Sequence, residues 1–341
     1  MTVEGSRLAG SLFGLAYGDA LGKDTEFISV DKIQWRYGPD GPSELPDPAL
    51  VTDDTQMALA VGEGLVEVIE ASQALTAETL APIWSRRFVE WAHSPDNNRA
   101  PGMTCLRACG GLADGKPWVK ATIPSSKGCG ANMRVTPIGL VPGLSSSTRA
   151  GAAQLQAALT HGHPTGLAAS ELTAYATWWL LGGMAPKDLP GALRARAEQQ
   201  REVYHEAWLG DLWKRSHDGS PDVFMRRGWA DCLSVLTLLE QAVEAGDRVT
   251  DPCAATGDGW VAEEALGTAL LCFLLFPDDP QSALQRAATT RGDSDSIAAL
   301  TGAFAGAAHG IEAFPAAWRE RIEYADRLEA VSAGLAGTFA G

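Results

Sequence analysis

The sequence lacks any apolar run long enough to cross a membrane. Its longest such run, residues 265–276, has 12 residues, and two glutamates directly precede it. A transmembrane helix needs about 20 apolar residues. The opening stretch MTVEGSRLAG also lacks the basic region and apolar core that mark a secretory signal peptide. We therefore expect a cytoplasmic protein without a membrane partner.

Cysteine is scarce. Six cysteines are spread over 341 residues, which is too dispersed for a small disulfide framework. Cys105 and Cys109 have the i, i+4 spacing of a metal-binding pair on a helix, but no second Cys/His pair stands at zinc-finger spacing. We interpret the six cysteines as buried free thiols.

Positive charge is also scarce, since Lys and Arg total 27 against 42 Asp and Glu, for a formal net charge of −15. This balance disfavours a protein that holds duplex nucleic acid on a general basic surface, because neutralising phosphates needs clustered Lys and Arg. A nucleic-acid substrate is therefore disfavoured, although a local basic rim would accommodate one. The acidic surplus is compatible with a cation site.

Strictly alternating apolar and polar residues, the pattern of a β-strand, are nearly absent, whereas helical periodicity recurs along most of the chain. Helical patterns cover residues 6–21, 55–71, 78–91, 148–159, 166–181, 189–209, 228–245, 261–276, 280–290, 296–310 and 319–333. The long irregular stretches between them are residues 22–51, 94–102, 114–130 and 246–259. None of these stretches has the composition of an interdomain linker. We predict a single all-α domain over residues 1–341.

Two acidic segments stand where an irregular stretch becomes a helix. Residues 52–55 read TDDT, and residues 293–296 read DSDS. Helix capping is one interpretation, because these residue types cap N-termini and acids complement the helix dipole. A cation site is the other, because oxygen donors suit Mg²⁺, Mn²⁺ or Ca²⁺ and four converging carboxylates would repel without one. Both interpretations stay open on the residues alone.

The end of the first helical pattern is marked by evenly spaced glycines and two acids. Gly14, Gly18 and Gly22 are four residues apart, which predicts a smooth face for close approach of another helix. Asp19 and Glu26 lie near the end of this helix, and an acid in that place can reach into a cleft.

Two further motifs could bind an anion or a metal. Residues 128–134, GCGANMR, form a Gly-rich turn that can present backbone N–H groups to a phosphate, although a simple loop is the other interpretation. His161 and His163 offer only two of the three or four ligands of a transition-metal site. We therefore favour hydrogen bonds from these imidazoles to the loop backbone or to a ligand.

Taken together and in this order, the motifs resemble those of the ADP-ribosylglycohydrolase family, which includes hydrolases of ADP-ribosyl-arginine and ADP-ribosyl-serine. The matching stretches are GLAYGDALGKDTEF, VTDDTQMAL, GCGANMRVTPIGL, ALTHGHP, TGDGWVAEEALGTAL and GDSDSIAALTGAFAGAAHG. They extend over residues 8–310. The resemblance implies a compact, orthogonal all-α bundle with a metal cleft. It also implies a hydrolase, mostly monomeric in the family, that cleaves the N- or O-glycosidic bond between ADP-ribose and an acceptor and releases ADP-ribose.

The resemblance assigns roles to residues of this chain. Two Mg²⁺ ions, with Mn²⁺ as a substitute, would be held by Thr52, Asp53, Asp54, Asp293, Asp295 and Ser296. Glu26 would lie beside the metals as the general acid/base, with Asp54 or Asp293 in reserve. The ADP-ribose site would comprise Gly128, Cys129, Gly130, Ala131, Asn132, Met133, His161, His163 and Trp260.

Three departures from the family pattern bear on these assignments. Ser296 stands where Thr is common, and its hydroxyl oxygen is retained. Cys129 stands where Asn is common, which removes an amide from the phosphate loop. The segment between Gly22 and Thr52, which would gate the cleft, has its own sequence. The resemblance therefore does not identify the acceptor, which could be arginine, serine, nucleic acid or a small molecule.

Two alternatives remain at this stage. One is a family member that binds ADP-ribose or has a structural role without turnover, as Cys129 and the divergent gating segment would allow. The retained metal carboxylates and Glu26 argue against it. The other is an unrelated helical phosphohydrolase, which is disfavoured because the one His-Asp pair, His217-Asp218, lies in a polar Ser/Gly stretch.

Overall fold

A computed structural model describes residues 2–337, within which the chain forms α-helices and no β-strand. The α-helices are α1 Val3–Gly22, α2 Val30–Tyr37, α3 Asp53–Glu70, α4 Ala77–Ala92, α5 Met103–Ala113, α6 Trp118–Ala121, α7 Thr136–Leu140, α8 Ser146–Ala158, α9 Pro164–Leu181, α10 Leu189–Gln200, α11 Glu206–Leu209, α12 Pro221–Ala245, α13 Cys253–Thr256, α14 Ala262–Leu275, α15 Pro280–Ala287, α16 Ser294–His309, α17 Ala316–Arg321 and α18 Ala325–Ala336. Short 3₁₀ turns occupy Cys129–Ala131, Pro186–Asp188, Leu212–Arg215 and Ile311–Ala313. The all-α prediction is confirmed.

Helix α9 lies at the centre of the bundle and packs against α8, α12, α14 and α16. Almost all of its residues are buried, including polar ones. A helix that is surrounded on every side needs no polar face, so the apolar residues of α9 need not be confined to one side. Helices α14 and α16 are also largely buried. The core is thus a set of surrounded helices covered by amphipathic ones.

The glycines of α1 form a seam against α16. A Cβ atom on Gly14 would lie 2.2 Å from the carbonyl oxygen of Gly302, and one on Gly18 would lie 1.9 Å from that of Ala298. At the end of α1, a Cβ on Gly22 would lie 2.4 Å from the Cα of Asp295. The close helix packing predicted from the glycine spacing is confirmed. This seam fixes the end of α1 against the beginning of α16.

Several boundaries differ from the sequence prediction. The predicted irregular stretch 22–51 contains α2, which buries one residue, Ile33. The predicted helix 189–209 is two helices, α10 and α11. The predicted helix 319–333 is interrupted at Tyr324, whose φ of 61° is left-handed and cannot continue a helix. Backbone conformation at a single residue leaves little trace in hydrophobic periodicity, so the pattern missed this break.

All six cysteines are buried free thiols, as predicted. No helix among residues 2–337 combines the length and the apolar character that crossing a bilayer requires.

Candidate active site

Five acidic side chains from three parts of the chain line one cleft of about 340 Å³. Glu26 follows α1, Asp53 and Asp54 stand in the first turn of α3, and Asp293 and Asp295 stand at the start of α16. Carboxylate oxygens of Glu26, Asp293 and Asp295 lie within 4.8 Å of one another. The α1–α16 seam therefore brings together acidic segments that are more than two hundred residues apart in sequence.

A sixth carboxylate, that of Asp19, organises the start of α3. It is fully buried and accepts hydrogen bonds from the backbone N–H of Thr52 at 2.9 Å and of Thr55 at 3.0 Å. It also accepts from the two threonine hydroxyls, at 2.8 and 2.5 Å. The Thr52 hydroxyl oxygen in turn caps α3 by accepting from the N–H of Asp54. Capping thus occupies Asp19 and Thr52, and it leaves the side chains of Asp53 and Asp54 to face the cleft.

The second acidic segment is held differently. Asp293 is the N-cap residue of α16, but its side chain accepts no capping hydrogen bond. Ser294 fixes the segment instead, because its hydroxyl donates to the carbonyl of Gly22 at 3.1 Å. The Asp295 carboxylate accepts from the N–H of Ser296 at 2.9 Å. Capping therefore does not account for Asp293, whose carboxylate lines the cleft.

None of these five carboxylates forms an ion pair with Lys or Arg in the part of the chain that the structure describes. Burial, and next the charge of Asp295, raise the pKa of Glu26 to about 9. Burial raises the pKa of Asp53 to about 7. Burial and Asp295 also raise the pKa values of Asp54 and Asp293 well above the usual range. Without a cation, the cluster therefore favours its protonated forms.

The donor set fits a hard divalent cation. It consists of carboxylate oxygens together with the nearly buried hydroxyl of Ser296, and oxygen ligands are those that Mg²⁺, Mn²⁺ and Ca²⁺ prefer. The Oδ1 atom of Asp54 is buried and has no hydrogen-bond partner, an arrangement that is costly unless a cation or a proton satisfies it.

An ion pair that the sequence analysis missed holds the segment before Asp53. Glu323 accepts a hydrogen bond from the N–H of Val51 at 3.0 Å and two from the Arg99 guanidinium at 2.6 and 2.9 Å. Arg99 also donates to the carbonyl of Val51. Just beyond it in the same loop, the N–H of Gly102 donates to Asp53 Oδ2 at 3.1 Å. These partners are distant in sequence, so no local motif reveals them.

The Gly-rich turn lines the same cleft. Residues of the predicted ADP-ribose site that line the cleft are Gly128, Cys129, Gly130, Met133, His161 and Trp260. Ala131 and Asn132 lie buried beneath the turn, where the Asn132 amide donates to the carbonyl of Ala262 at 3.1 Å. A Cβ on Gly130 would lie 2.9 Å from His161 Cε1. The turn therefore needs glycine there, because it packs against both the imidazole and Cys105 Sγ, which a Cβ would approach to 2.8 Å.

The turn offers fewer free backbone donors than its sequence predicts. The N–H of Cys129 donates to the carbonyl of Trp260 at 3.1 Å, and that of Ala131 donates to Gly128 at 3.2 Å. The N–H groups of Asn132 and Met133 both donate to the carbonyl of Cys129. Of the two interpretations of this turn, the open cradle of N–H groups does not hold for these four residues, because three of them bond within the 3₁₀ turn and Cys129 bonds to Trp260.

The structure separates the two predicted histidines. His161 is buried and lines the cleft. His163 faces a different depression, where its Nε2 lies 2.7 Å from Arg227 Nη1 and its Nδ1 accepts from the N–H of Thr165 at the start of α9. Residues i and i+2 usually share a side only in regular extended backbone. Here His163 caps α9 and turns away, so the prediction that it lines the cleft is wrong.

Exposed apolar side chains rim the cleft mouth. The rings of Phe27 and Trp260 stack with their centroids 5.4 Å apart and their planes at 18°. Phe27 is 67% exposed, Trp260 41% and Met103 70%. Phe27 also has a φ of 63°, which is uncommon for a bulky residue and is typical of functional sites. Sequence analysis missed Phe27 and Met103, since single apolar residues in irregular segments carry no periodic signal.

Residues 2–341 match the family model described as ADP-ribosylglycohydrolase. The ADP-ribosylhydrolase ARH3 of Bos taurus is 28% identical, over 98% of this chain and 93% of that protein. The ADP-ribosylarginine hydrolase Tri1 of Serratia proteamaculans is 25% identical, over 94% of this chain and 76% of that protein. A solved structure titled "ADP-ribosylglycohydrolase-related protein complex" has a TM-score of 0.65 at 24% identity and covers 99% of each chain.

Proposed function

The chain belongs to the ADP-ribosylglycohydrolase family and is an ADP-ribosyl glycohydrolase, and we propose that its acidic cluster holds two Mg²⁺ ions, or Mn²⁺ in their place, during cleavage. The proposal rests on one observation: five buried or half-buried carboxylates line the same cleft, and none of them is paired with Lys or Arg among the described residues. Acidic side chains in such surroundings are costly unless protons or cations balance them.

Four carboxylates and two hydroxyls would hold the ions. The carboxylates are those of Asp53, Asp54, Asp293 and Asp295. Ser296 would add the hydroxyl at the start of α16. Thr52 would add the other, because its hydroxyl proton is donated to Asp19 and its oxygen keeps a lone pair for a cation. When bound, the ions would supply a fixed positive charge that orients the ribose hydroxyls and activates a water molecule.

Glu26 is the proposed general acid and base. In the metal-free protein, burial raises the pKa of Glu26 to about 9, and a carboxyl group that is still protonated in the loaded site could donate a proton to the departing acceptor. A bound cation nearby would lower this pKa and allow Glu26 to take a proton back from water. Asp54 and Asp293 are the reserve candidates. Cleavage of a glycosidic bond passes through an oxocarbenium-like state, which ionised carboxylates stabilise.

ADP-ribose would lie across the rest of the cleft. His161 and Met133 would contact it from the Gly-rich wall, and Trp260 would stack on the adenine or ribose at the mouth. The relatives act, by their names, on ADP-ribosylarginine in one case and on an unspecified ADP-ribosyl linkage in the other. The acceptor that this chain accepts therefore has to be measured.

The test is release of ADP-ribose from arginine-, serine- and DNA-linked conjugates, measured by mass spectrometry with Mg²⁺ and with EDTA. We expect release from at least one conjugate with Mg²⁺ and none with EDTA. Release that EDTA does not reduce would contradict the metal proposal. Metal-dependent binding of ADP-ribose without release from any conjugate would instead support a binding member of the family without turnover.

A further inference from the structure

His161 has one ring nitrogen bound to the protein and the other directed at the cleft. Its Nδ1 lies 2.7 Å from the hydroxyl oxygen of Thr160. Its Nε2 has no hydrogen-bond partner among the described residues and faces the Gly-rich turn, where a Cβ on Gly128 would lie 3.3 Å away. Whether Nε2 can donate or only accept a hydrogen bond therefore decides which ligand atoms it can bind.

The contacts of Thr160 determine where its hydroxyl proton goes. Arg134 Nη2 lies 2.8 Å from the hydroxyl oxygen, and a guanidinium can only donate. Two other acceptors are in reach. The carbonyl of Ala157, at 3.4 Å, already accepts from the N–H groups of Thr160 and His161, and a carbonyl oxygen has two lone pairs. The sulfur of Cys105 also lies within hydrogen-bonding reach of Thr160, but a thiol sulfur is only a weak acceptor. The Thr160 hydroxyl therefore donates its proton most favourably to His161 Nδ1, which accepts it.

Arg134 is rigidly held in this arrangement. It is fully buried, its Nε and Nη2 donate to the side chain and carbonyl of Gln156 at 2.8 and 2.6 Å, and its guanidinium lies 4.4 Å from the centre of the Phe88 ring. Burial, and next the Arg134 charge, lower the pKa of His161 well below its usual range. The ring is therefore neutral, and a neutral imidazole that accepts at Nδ1 carries its proton on Nε2.

We propose that Arg134 and Thr160 are positioning residues that hold His161 in its Nε2–H form, so that it donates a hydrogen bond to a phosphate oxygen of the ligand. The identity of that ligand, ADP-ribose, rests on the proposed function. A donor from His161 matters here because the N–H groups of Cys129 and Ala131 already donate to the carbonyls of Trp260 and Gly128 and are not free for a ligand. A hydrogen bond to an anionic oxygen is also stronger than one to a neutral acceptor.

The direct test is the tautomer of His161 in the free protein. Long-range ¹H–¹⁵N NMR spectra of labelled protein distinguish protonated from unprotonated imidazole nitrogens, and His161→Gln identifies the signals to assign among the six histidines. We expect Nε2 to be protonated and Nδ1 to be bare. A spectrum with the proton on Nδ1, or with a charged ring at neutral pH, overturns the proposal.

The second test is binding of ADP-ribose, measured by calorimetry. Thr160→Val removes the hydroxyl at nearly constant volume, and we expect about tenfold weaker binding together with a mixed tautomer. Thr160→Ser retains the hydroxyl and should bind like the wild type. Thr177→Val is the matched control, because Thr177 is buried in α9 and bonds only a backbone carbonyl away from the cleft.

The outcomes separate this inference from the proposed function. If Thr160→Val binds ADP-ribose as tightly as Thr177→Val, the positioning role is contradicted. If the wild-type protein does not bind ADP-ribose at all, the proposed function fails, while the free-protein spectrum still decides the tautomer. Since that spectrum needs no Thr160 variant, it decides the matter even where Thr160→Val does not fold.

Discussion

At the scale of single residues, Asp295 is the carboxylate whose charge most raises the pKa values of its neighbours in the cleft. Burial is the largest cause of the raised pKa values of Asp19, Glu26, Asp54 and Asp293, and the charge of Asp295 is the next cause for each. An acid so placed destabilises the metal-free protein and becomes favourable only when cations balance it. Its presence costs stability and is therefore best explained by binding.

Asp295→Asn should accordingly stabilise the metal-free protein and abolish its function. The amide oxygen can still accept from the N–H of Ser296, so the start of α16 keeps its hydrogen bond. We expect the melting temperature in EDTA to rise by about 2 °C, and Mg²⁺-dependent release of ADP-ribose to fall by at least about 100-fold. Thermal unfolding and the mass-spectrometric assay measure the two effects.

The matched control is Asp279→Asn, which changes the same atoms at the N-cap of α15 outside the cleft. Asn caps helices about as well as Asp does, so both stability and turnover should stay close to wild type. An Asp295→Asn protein that is less stable in EDTA than the control, or that retains full turnover, would contradict the assignment of Asp295 as a cation ligand.

At the scale of elements, the α1–α16 seam is what brings the acidic segments together. Gly18→Ala would place a methyl group 1.9 Å from the carbonyl oxygen of Ala298, and a backbone atom cannot move aside like a flexible side chain. We expect a loss of about 3 kcal/mol in the free energy of unfolding, or failure to fold, as is typical of overpacking. Urea denaturation measures the loss.

Gly110→Ala provides the contrast, because Gly110 stands at an exposed position of α5 with no atom within 4 Å of a new Cβ. Removing a glycine from an unobstructed helix interior should raise stability by about 0.5–1 kcal/mol. Equal stability of the Gly18 and Gly110 variants would show that the seam tolerates separation and does not position the site.

The ion pair of Arg99 with Glu323 acts on another element, the segment that leads into α3. Glu323→Gln keeps the shape but removes the charge, and therefore loosens the hold on both backbone groups of Val51. Since Val51 precedes the ligand segment by one residue, we expect about tenfold weaker Mg²⁺ or Mn²⁺ binding, the usual effect of removing an outer contact to a metal site. Calorimetric metal titration measures the affinity.

Glu240→Gln is the corresponding control, since Glu240 forms an equally short two-bond pair with Arg194 on the far helices α10 and α12. Arg194 and Glu240 are about twice as exposed as Arg99 and Glu323, so the unfolding free energy should fall less in Glu240→Gln. If metal affinity falls by the same factor in both, or in neither, the Arg99 pair has no positioning role.

At the scale of the whole molecule, the sequence was informative wherever structure or chemistry is local. Helical periodicity predicted the all-α fold, and the two acidic segments predicted carboxylates that the structure places in one cleft. Asp53 and Asp54 were recognisable because oxygen donors beside a helix start are a local pattern. The ligands themselves remain predictions, because no bound ion tests them.

Features that depend on distant partners could not be predicted. Glu323 holds Val51 across a separation of 272 residues, and Phe27 meets Trp260 only after the helices are packed. The direction in which His163 points depends on its capping of α9, which its spacing does not reveal. Such properties are set by tertiary contacts, and a single sequence carries no signal for them.

The acidic cluster should make the effect of metal on stability depend on pH. The raised pKa values, about 7 for Asp19 and Asp53 and about 9 for Glu26, mean that the folded protein binds protons more tightly than the unfolded chain does. The stability that these protonated groups give to the metal-free protein is therefore fully present below the ordinary pKa values near 4. It is lost as the pH rises from there through the raised pKa values of the folded protein.

Cations compete with these protons, so their benefit should grow over the same range. We expect the melting temperature in Mg²⁺ to exceed that in EDTA by little near pH 6 and by several degrees near pH 9, because at higher pH the ions bind carboxylates that are already deprotonated. In Asp295→Asn this difference should be small at both pH values. A difference that shrinks with rising pH would mean that the cluster is balanced by protons alone and that the cleft holds no catalytic cation.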